Sequence, residues 1–367
     1  MVGFSLGLIG RAAVAKLEDT QDFATFTEPV LPLSPGKQNG LQALADQRGV
    51  IAALAIDQRS ALRKLFAKAS GRDASEVPAE WLVQFKEKVS QFLTPYASAI
   101  LLDPEYGLPA ATRRSKQAGL LLAYEQSGYD KSVPGRLPRL LDDFTAAHLK
   151  DSGADAVKVL LYYSPFSDAA VNTHKQRWVQ RVGDECRKTD VPFFLEIVSY
   201  HDQMDEKSAE FARIKPDVVT RSIEEFCKAG YAVDVLKVGV PVNMNFVESS
   251  HLPRSQAVYS RSEAVYHFKR ASRAASLPFI YLSEGVSNQT FADALTLAAE
   301  AESSFSGVLC GRAIWQDGVP VFVRQGAPAL EDWLDEHGVH NIQNVNVHLI
   351  SAKPWFDRVG AAPGGKK

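Results

Sequence analysis

A single-domain (β/α)8 barrel is the fold this sequence predicts, and three observations predict it. Eight short apolar runs rich in β-branched residues recur along the chain, each suited to a strand buried on both faces. Amphipathic segments of helical period lie between most of them, the order that builds a parallel sheet with crossover helices. The 367 residues leave no boundary for a second domain, and one α/β barrel routinely reaches this length. Eight repeats favour closure over an open doubly wound sheet.

The runs are 49–57 (GVIAALAID), 98–103 (SAILLD), 119–124 (GLLLAY), 156–163 (AVKVLLYY), 193–199 (FFLEIVS), 234–241 (DVLKVGVP), 279–284 (FIYLSE) and 307–312 (GVLCGR). The helical segments include 78–94, with Trp81, Phe85, Val89 and Phe92 on one stripe, then 139–151, 169–188, 262–275 and 288–303. The barrel is therefore expected over 37–355. Residues 1–36, with Pro29, Pro32 and Pro35 and weak periodicity, read as an N-terminal extension, and 356–367, rich in Gly, Pro and Lys, as a flexible C-terminal tail. The letters GFSLG at 3–7 fit a nucleophile elbow but have no room for the strand that elbow must follow.

Composition narrows the function. With 46% hydrophobic and 23% charged residues the chain belongs among globular proteins with a sizeable core. A formal net charge of −2 gives no general attraction for nucleic acid or an anionic membrane. No run reaches transmembrane length, and the apolar stretch Val2 to Gly10 lacks the basic segment of a signal peptide. Cys186, Cys227 and Cys310 show no CxxC spacing and read as buried thiols of a cytoplasmic protein. A small molecule is the expected partner. Helix-coated barrels often associate, so a homo-oligomer is compatible with the sequence.

Polar residues cluster late in the runs, where the C-terminal mouth of a barrel carries the chemistry: Asp57, Asp103 and Arg312 end the first, second and eighth, Glu125 follows the third, and Lys158, Glu196, Lys237 and Ser283 sit in the fourth to seventh. Lys237, among Val235, Leu236, Val238 and Val240, is partly desolvated on this reading, and desolvation favours the uncharged amine that attacks a carbonyl. A lysine snorkelling to solvent is an equal alternative on spacing alone. Lys158 meets the same test, or pairs with Glu196. Glu196 shares a strand face with Phe194 and Val198, so it faces the lumen if Phe194 does and is the natural general acid/base. Ser283-Glu284-Gly285 and Cys310-Gly311-Arg312 end the last two runs, where many barrels hold phosphate. Turn-shaping glycines and an Arg312–Asp317 pair are the bland alternative. Asp57, Gln58 and Arg59 are suited to grasping hydroxyls or a second phosphate, with a helix N-cap as the competing role for Asp57. The loop Asp103 to Pro109 offers further carboxylates. The eight histidines form no HxxxH or HExxH pair and none lies in a run, so no metal site is expected, and no Gly-rich nucleotide motif is present.

The segments ALAIDQR (53–59), ASAILLDPEYGLPA (97–110), GLLLAYEQSGYD (119–130), AVKVLLYY (156–163), PFFLEIVSY (192–200), DVLKVGVPVN (234–243), YLSEGVS (281–287) and GVLCGRAIW (307–315) together resemble the class I tagatose 1,6-bisphosphate aldolases, in order from about residue 36 onward. The resemblance implies a (β/α)8 barrel in which Lys237 forms the Schiff base, Glu196 shuttles protons and Lys158 assists. It implies phosphate binding at Ser283, Gly311 and Arg312 and substrate contacts at Asp57 and Gln58. The implied substrate is a phosphorylated ketose, cleaved to dihydroxyacetone phosphate and glyceraldehyde 3-phosphate without metal or organic cofactor.

Two positions depart from that family's pattern: Gly239, where a glutamate is usual, and Glu284, where a small residue is usual. They leave two alternatives open, a lysine-dependent aldolase for another sugar phosphate, such as a sulfonated ketose 1-phosphate, and a sugar-phosphate sensor without turnover.

Overall fold

In a computed structural model the described residues are 33–130, 132–249 and 252–359. The extension expected over 1–36, with the GFSLG letters, and the tail expected over 356–367 lie mostly outside them. Eight parallel strands close on themselves in sequence order: β1 (Ile51–Ala55), β2 (Ala99–Leu102), β3 (Gly119–Ala123), β4 (Ala156–Tyr163), β5 (Phe193–Ser199), β6 (Val235–Gly239), β7 (Phe279–Leu282) and β8 (Gly307–Cys310). The seam is the β8–β1 pairing, with Ile51 opposite Gly307 and Leu54 opposite Cys310. Each strand coincides with one of the eight apolar runs, and most polar residues singled out at run ends stand on or just beyond the last strand residue, at the mouth.

The crossover helices have clear local causes. Asp168 caps Ala169–Thr189 by accepting from the amides of Ala170 and Val171, and Ser260 with Glu263 forms a capping box at Arg261–Ala274. Ala209–Phe226 starts at Ser208, whose hydroxyl accepts from Phe211. The segment expected to be helical over 139–151 is helical only from Ala146 to Asp151. Its first part is not helical: Leu140 bridges Glu125, and a turn follows at 142–143.

Two apolar layers result. Between strands and helices, Phe66, Phe85, Trp315 and Phe322 interlock edge to face or tilted, with centroids 5.6–5.8 Å apart. Inside the barrel, Ala53, Leu101, Leu121, Ala156, Phe194, Val235, Ile280 and Leu309 fill the lumen. Leu41 and Leu44 of the helix Pro35–Leu44, together with Trp355, close its floor. With the floor packed solid, only the C-terminal mouth remains for chemistry. Among the described residues no helix is long and apolar enough to cross a membrane. Cys186 and Cys310 are buried, but Cys227 is half-buried, at variance with the expectation for all three; none is in a disulfide.

Candidate active site

Strand alternation sets the centre of the site. Ala156, Phe194 and Val235 face the lumen, so Lys158, Glu196 and Lys237, each two residues on, face it one layer nearer the mouth. Glu196 and Lys237 are register partners across β5 and β6. Glu196 Oε2 lies 2.7 Å from Lys158 Nζ and 2.8 Å from Lys237 Nζ. Lys158 Nζ also donates to Asp57 Oδ2 and Glu125 Oε1, each at 2.8 Å. Lys158 thus meets three carboxylates, whereas among the described residues Lys237 pairs only with Glu196. All five side chains are at least nine-tenths buried.

Charge pairing outweighs burial here. Burial opposes ionisation of Asp57, yet the ammonium groups of Lys158 and Lys237 hold its carboxyl well below the usual range. Glu196 follows the same balance and is also lowered. Burial works against the charge on Lys158, but Asp57, Glu125 and Glu196 raise its pKa well above the ordinary value, so it is a fixed cation. Glu125 goes the other way: burial raises it, and Lys158 and Arg59 do not fully compensate. Asp57 Oδ1, Gln58 Oε1 and Glu125 Oε2 are buried acceptors with no hydrogen-bond partner among the described residues. Unpaired acceptors are costly, and two of them on carboxylates that share the Lys158 ammonium, with a third on the neighbouring Gln58, suit a ligand that brings hydroxyl groups.

The corner where β7, β8 and β1 meet has another character. Gly285 is left-handed, φ 76°, and a Cβ on it would stand 2.6 Å from the guanidinium carbon of Arg312. The guanidinium therefore lies flat on bare backbone. Among the described residues no ion pair or hydrogen bond ties it, so the expected alternative with Asp317 is not formed. A Cβ on Gly311 would meet Ala55 O at 2.8 Å and the Gln58 side-chain amide nitrogen at 3.3 Å. Gln58, Ser283, Gly311 and Arg312 are thereby brought to one corner, which offers an amide, a hydroxyl and an uncommitted guanidinium to an anion.

Other expectations are resolved differently. Asp57 is no helix cap; it belongs to Lys158. Arg59 is buried, and both its terminal nitrogens are engaged, Nη1 2.5 Å from Glu105 and Nη2 donating to Glu125 O at 2.7 Å, while its Nε has no partner among the described residues. Asp103 pairs with Lys86, which also donates to Ile56 O at 2.7 Å. This buried pair ties the helix Ala79–Leu93 to the ends of β1 and β2 and does not face a substrate. Glu125, which the sequence places among the mouth residues without a role, joins the charged centre; its phase with Leu121 and Ala123 is the signal for that. Among the described residues no three His, Cys, Asp or Glu side chains gather to hold a metal ion.

The two family departures meet in space. A Cβ on Gly239 would lie 2.3 Å from Glu284 Oε1, and Glu284 Oε2 is 2.6 Å from Lys215 Nζ. The carboxylate at 284 turns toward β6 and the Lys215 ammonium.

Comparison with known proteins gives the family. The profile described as DeoC/LacD family aldolase matches residues 51–317. Tagatose 1,6-diphosphate aldolase 2 of Enterococcus faecalis is 49% identical over 337 residues, 91% of this chain and 100% of that protein. Tagatose 1,6-diphosphate aldolase of Listeria monocytogenes serotype 4a is 45% identical over 334 residues, 90% of this chain and 97% of its own length. In fold, the chain is similar to fructose-bisphosphate aldolase from Plasmodium falciparum, solved in complex with TRAP and a small-molecule inhibitor. The TM-score is 0.63 at 12% identity, covering 88% of this chain and 97% of that one. With the profile spanning most of the barrel and relatives near half identity along nearly their whole length, the chain belongs to the DeoC/LacD family of aldolases.

Proposed function

We propose that this chain is a class I aldolase that cleaves D-tagatose 1,6-bisphosphate to dihydroxyacetone phosphate and D-glyceraldehyde 3-phosphate, with Lys237 as the imine-forming residue. The observation that carries the reading is the unequal pairing of the two lumen lysines. Lys158 would have to abandon three carboxylates to attack a carbonyl, whereas Lys237 has one, and that one can take its proton.

In this reading Lys237 Nζ attacks the ketone carbon and water leaves to give an iminium. The C3–C4 bond then breaks with its electrons flowing to the iminium, while Glu196 accepts the proton of the C4 hydroxyl. Conversion of iminium to enamine removes one of the two cations beside Glu196. Its proton affinity rises as it takes the proton. Glu196 returns that proton to the enamine carbon, and hydrolysis frees Lys237. Lys158 stays charged throughout and holds Asp57, Glu125 and Glu196 in place. Ser283, Gly311 and Arg312 hold one phosphate, and Asp57 and Gln58 accept or donate to substrate hydroxyls. Close relatives that carry the tagatose 1,6-diphosphate aldolase name support the substrate. Three thiols without a disulfide support a cytoplasmic setting. The sensor alternative rested on the missing carboxylate at Gly239, and Glu284 fills that space.

The test is borohydride trapping with dihydroxyacetone phosphate and with tagatose 1,6-bisphosphate in the presence of a chelator, read by intact mass and peptide mapping. The expected result is one adduct, on Lys237. An adduct on Lys158, or none with either ligand despite saturable binding, sinks the assignment.

A further inference from the structure

At the rim of the site, one strand's loop supplies a side chain to the next strand. Gly239 is the second residue beyond Lys237 on β6, so it faces the lumen in the layer next toward the mouth. The space a side chain there would need is taken by Glu284 Oε1, 2.3 Å from the position of a Cβ. Glu284 reaches it from the β7 loop through a left-handed backbone, φ 51°, a conformation disfavoured for any residue with a Cβ. Lys215, on the helix Ala209–Phe226, holds the other oxygen at 2.6 Å and is itself anchored on Val242 O at 3.3 Å. Lys215 is buried, while 27% of the Glu284 side chain remains open.

We propose that Glu284 is a specificity-determining residue: its Oε1, standing over Gly239 in the layer above Lys237, accepts a hydrogen bond from a hydroxyl of the bound ketose bisphosphate, and Lys215 positions it. The proposal rests on Lys237 as the imine-forming residue. An ion pair with Lys215 alone requires neither a strained backbone at 284 nor a bare glycine on β6; a carboxylate delivered into the lumen requires both. Lys215 takes one oxygen and leaves the other with acceptor capacity. The pair carries no net charge, so the acceptor sits one residue from Ser283 without repelling a phosphate there. A sugar whose hydroxyl has the opposite configuration leaves the carboxylate oxygen unmatched, which is how a buried polar group discriminates.

The experiment measures kcat/KM for D-tagatose and D-fructose 1,6-bisphosphates, which differ in configuration at C4. The proteins are the wild type, Glu284→Ala, and the double variant Gly239→Glu with Glu284→Ala. Residue 284 already carries a Cβ in this backbone, so alanine adds no strain, and a thermal unfolding midpoint verifies the fold. Glu284→Ala is expected to lower kcat/KM for one epimer on the order of 10- to 100-fold and to affect the other less, shifting the ratio. The double variant returns a carboxylate to the same space from β6 and is expected to bring the ratio back. An equal effect on both epimers, or a double variant that keeps the altered ratio, overturns the proposal. Trapping dihydroxyacetone phosphate on wild-type Lys237 separates the two readings: without that adduct the aldolase assignment fails, whereas an adduct together with an unchanged epimer ratio defeats the role of Glu284 alone.

Discussion

Lys158 and Lys237 occupy equivalent lumen positions, and the number of carboxylates around each divides their labour. Replacing Lys158 by methionine keeps the bulk but strands Asp57, Glu125 and Glu196 together in a buried site. We expect a loss of about 3–5 kcal/mol of stability, measured by urea unfolding. The same variant has a signature in activity. Lys158 is a principal cause of the lowered pKa of Glu196, so its removal raises that pKa, and the acid limb of the kcat/KM profile moves to higher pH because the base must be ionised. An unmoved limb would show that Glu196 is not the titrating base. Stability in acid follows from Asp57, whose folded pKa is depressed below its ordinary 3.8. Its contribution is fully present above that value and is lost as pH falls toward the depressed folded value. Strand burial alone could not rank the two lysines, since both sit in apolar strands; only the family resemblance did. In the structure the ranking comes from Asp57, beyond the first strand, and Glu125, just past the strand beside Lys158.

At the scale of elements, the loops after β7 and β8 act as one device. The left-handed pair Glu284 and Gly285 turns a carboxylate toward β6 and bares the backbone beneath Arg312. Gly285→Ala places a methyl 2.6 Å from the guanidinium carbon. The guanidinium ends a flexible side chain and can move aside, so stability falls by only about 1–2 kcal/mol, the cost of a left-handed residue with a Cβ. Substrate grip suffers more: KM for the bisphosphate is expected to rise roughly tenfold or more as the bidentate contact is lost, with kcat less affected. Steady-state kinetics decide this, and a fall in kcat at constant KM would place Arg312 elsewhere in the reaction. Much of this element was legible beforehand, because glycine beside serine and arginine at the last two run ends is a local pattern. The contact of Gly239 with Glu284 was not, since it joins two strands that each look merely irregular alone. The helix overextended to 139 failed for a similar reason: Leu140 has helical phase but is held by an antiparallel bridge to Glu125.

The barrel as a whole was readable because each strand is buried on both faces and so appears as an unbroken apolar run, while the lumen residue at its end must be polar. Closure is a different matter, since nothing local announces which two strands meet at the seam. Gly307 begins β8 opposite Ile51, with φ 138°, and a Cβ there would stand 2.0 Å from Ile51 O and 2.7 Å from Ile51 C. Both obstacles are backbone in the first strand of the sheet, so neither can swing away. Gly307→Ala must therefore part β8 from β1 or bend both, and we expect a loss of more than about 3 kcal/mol. Gly71, at φ 69° with nothing within 4 Å of a Cβ, isolates the conformational share: Gly71→Ala is expected to cost about 1 kcal/mol. Urea midpoints of the two variants at unchanged m-value make the comparison. Equal losses would mean that backbone strain alone explains Gly307; the expected excess measures how tightly the seam must close to hold Asp57, just beyond β1, against Lys158 across the lumen.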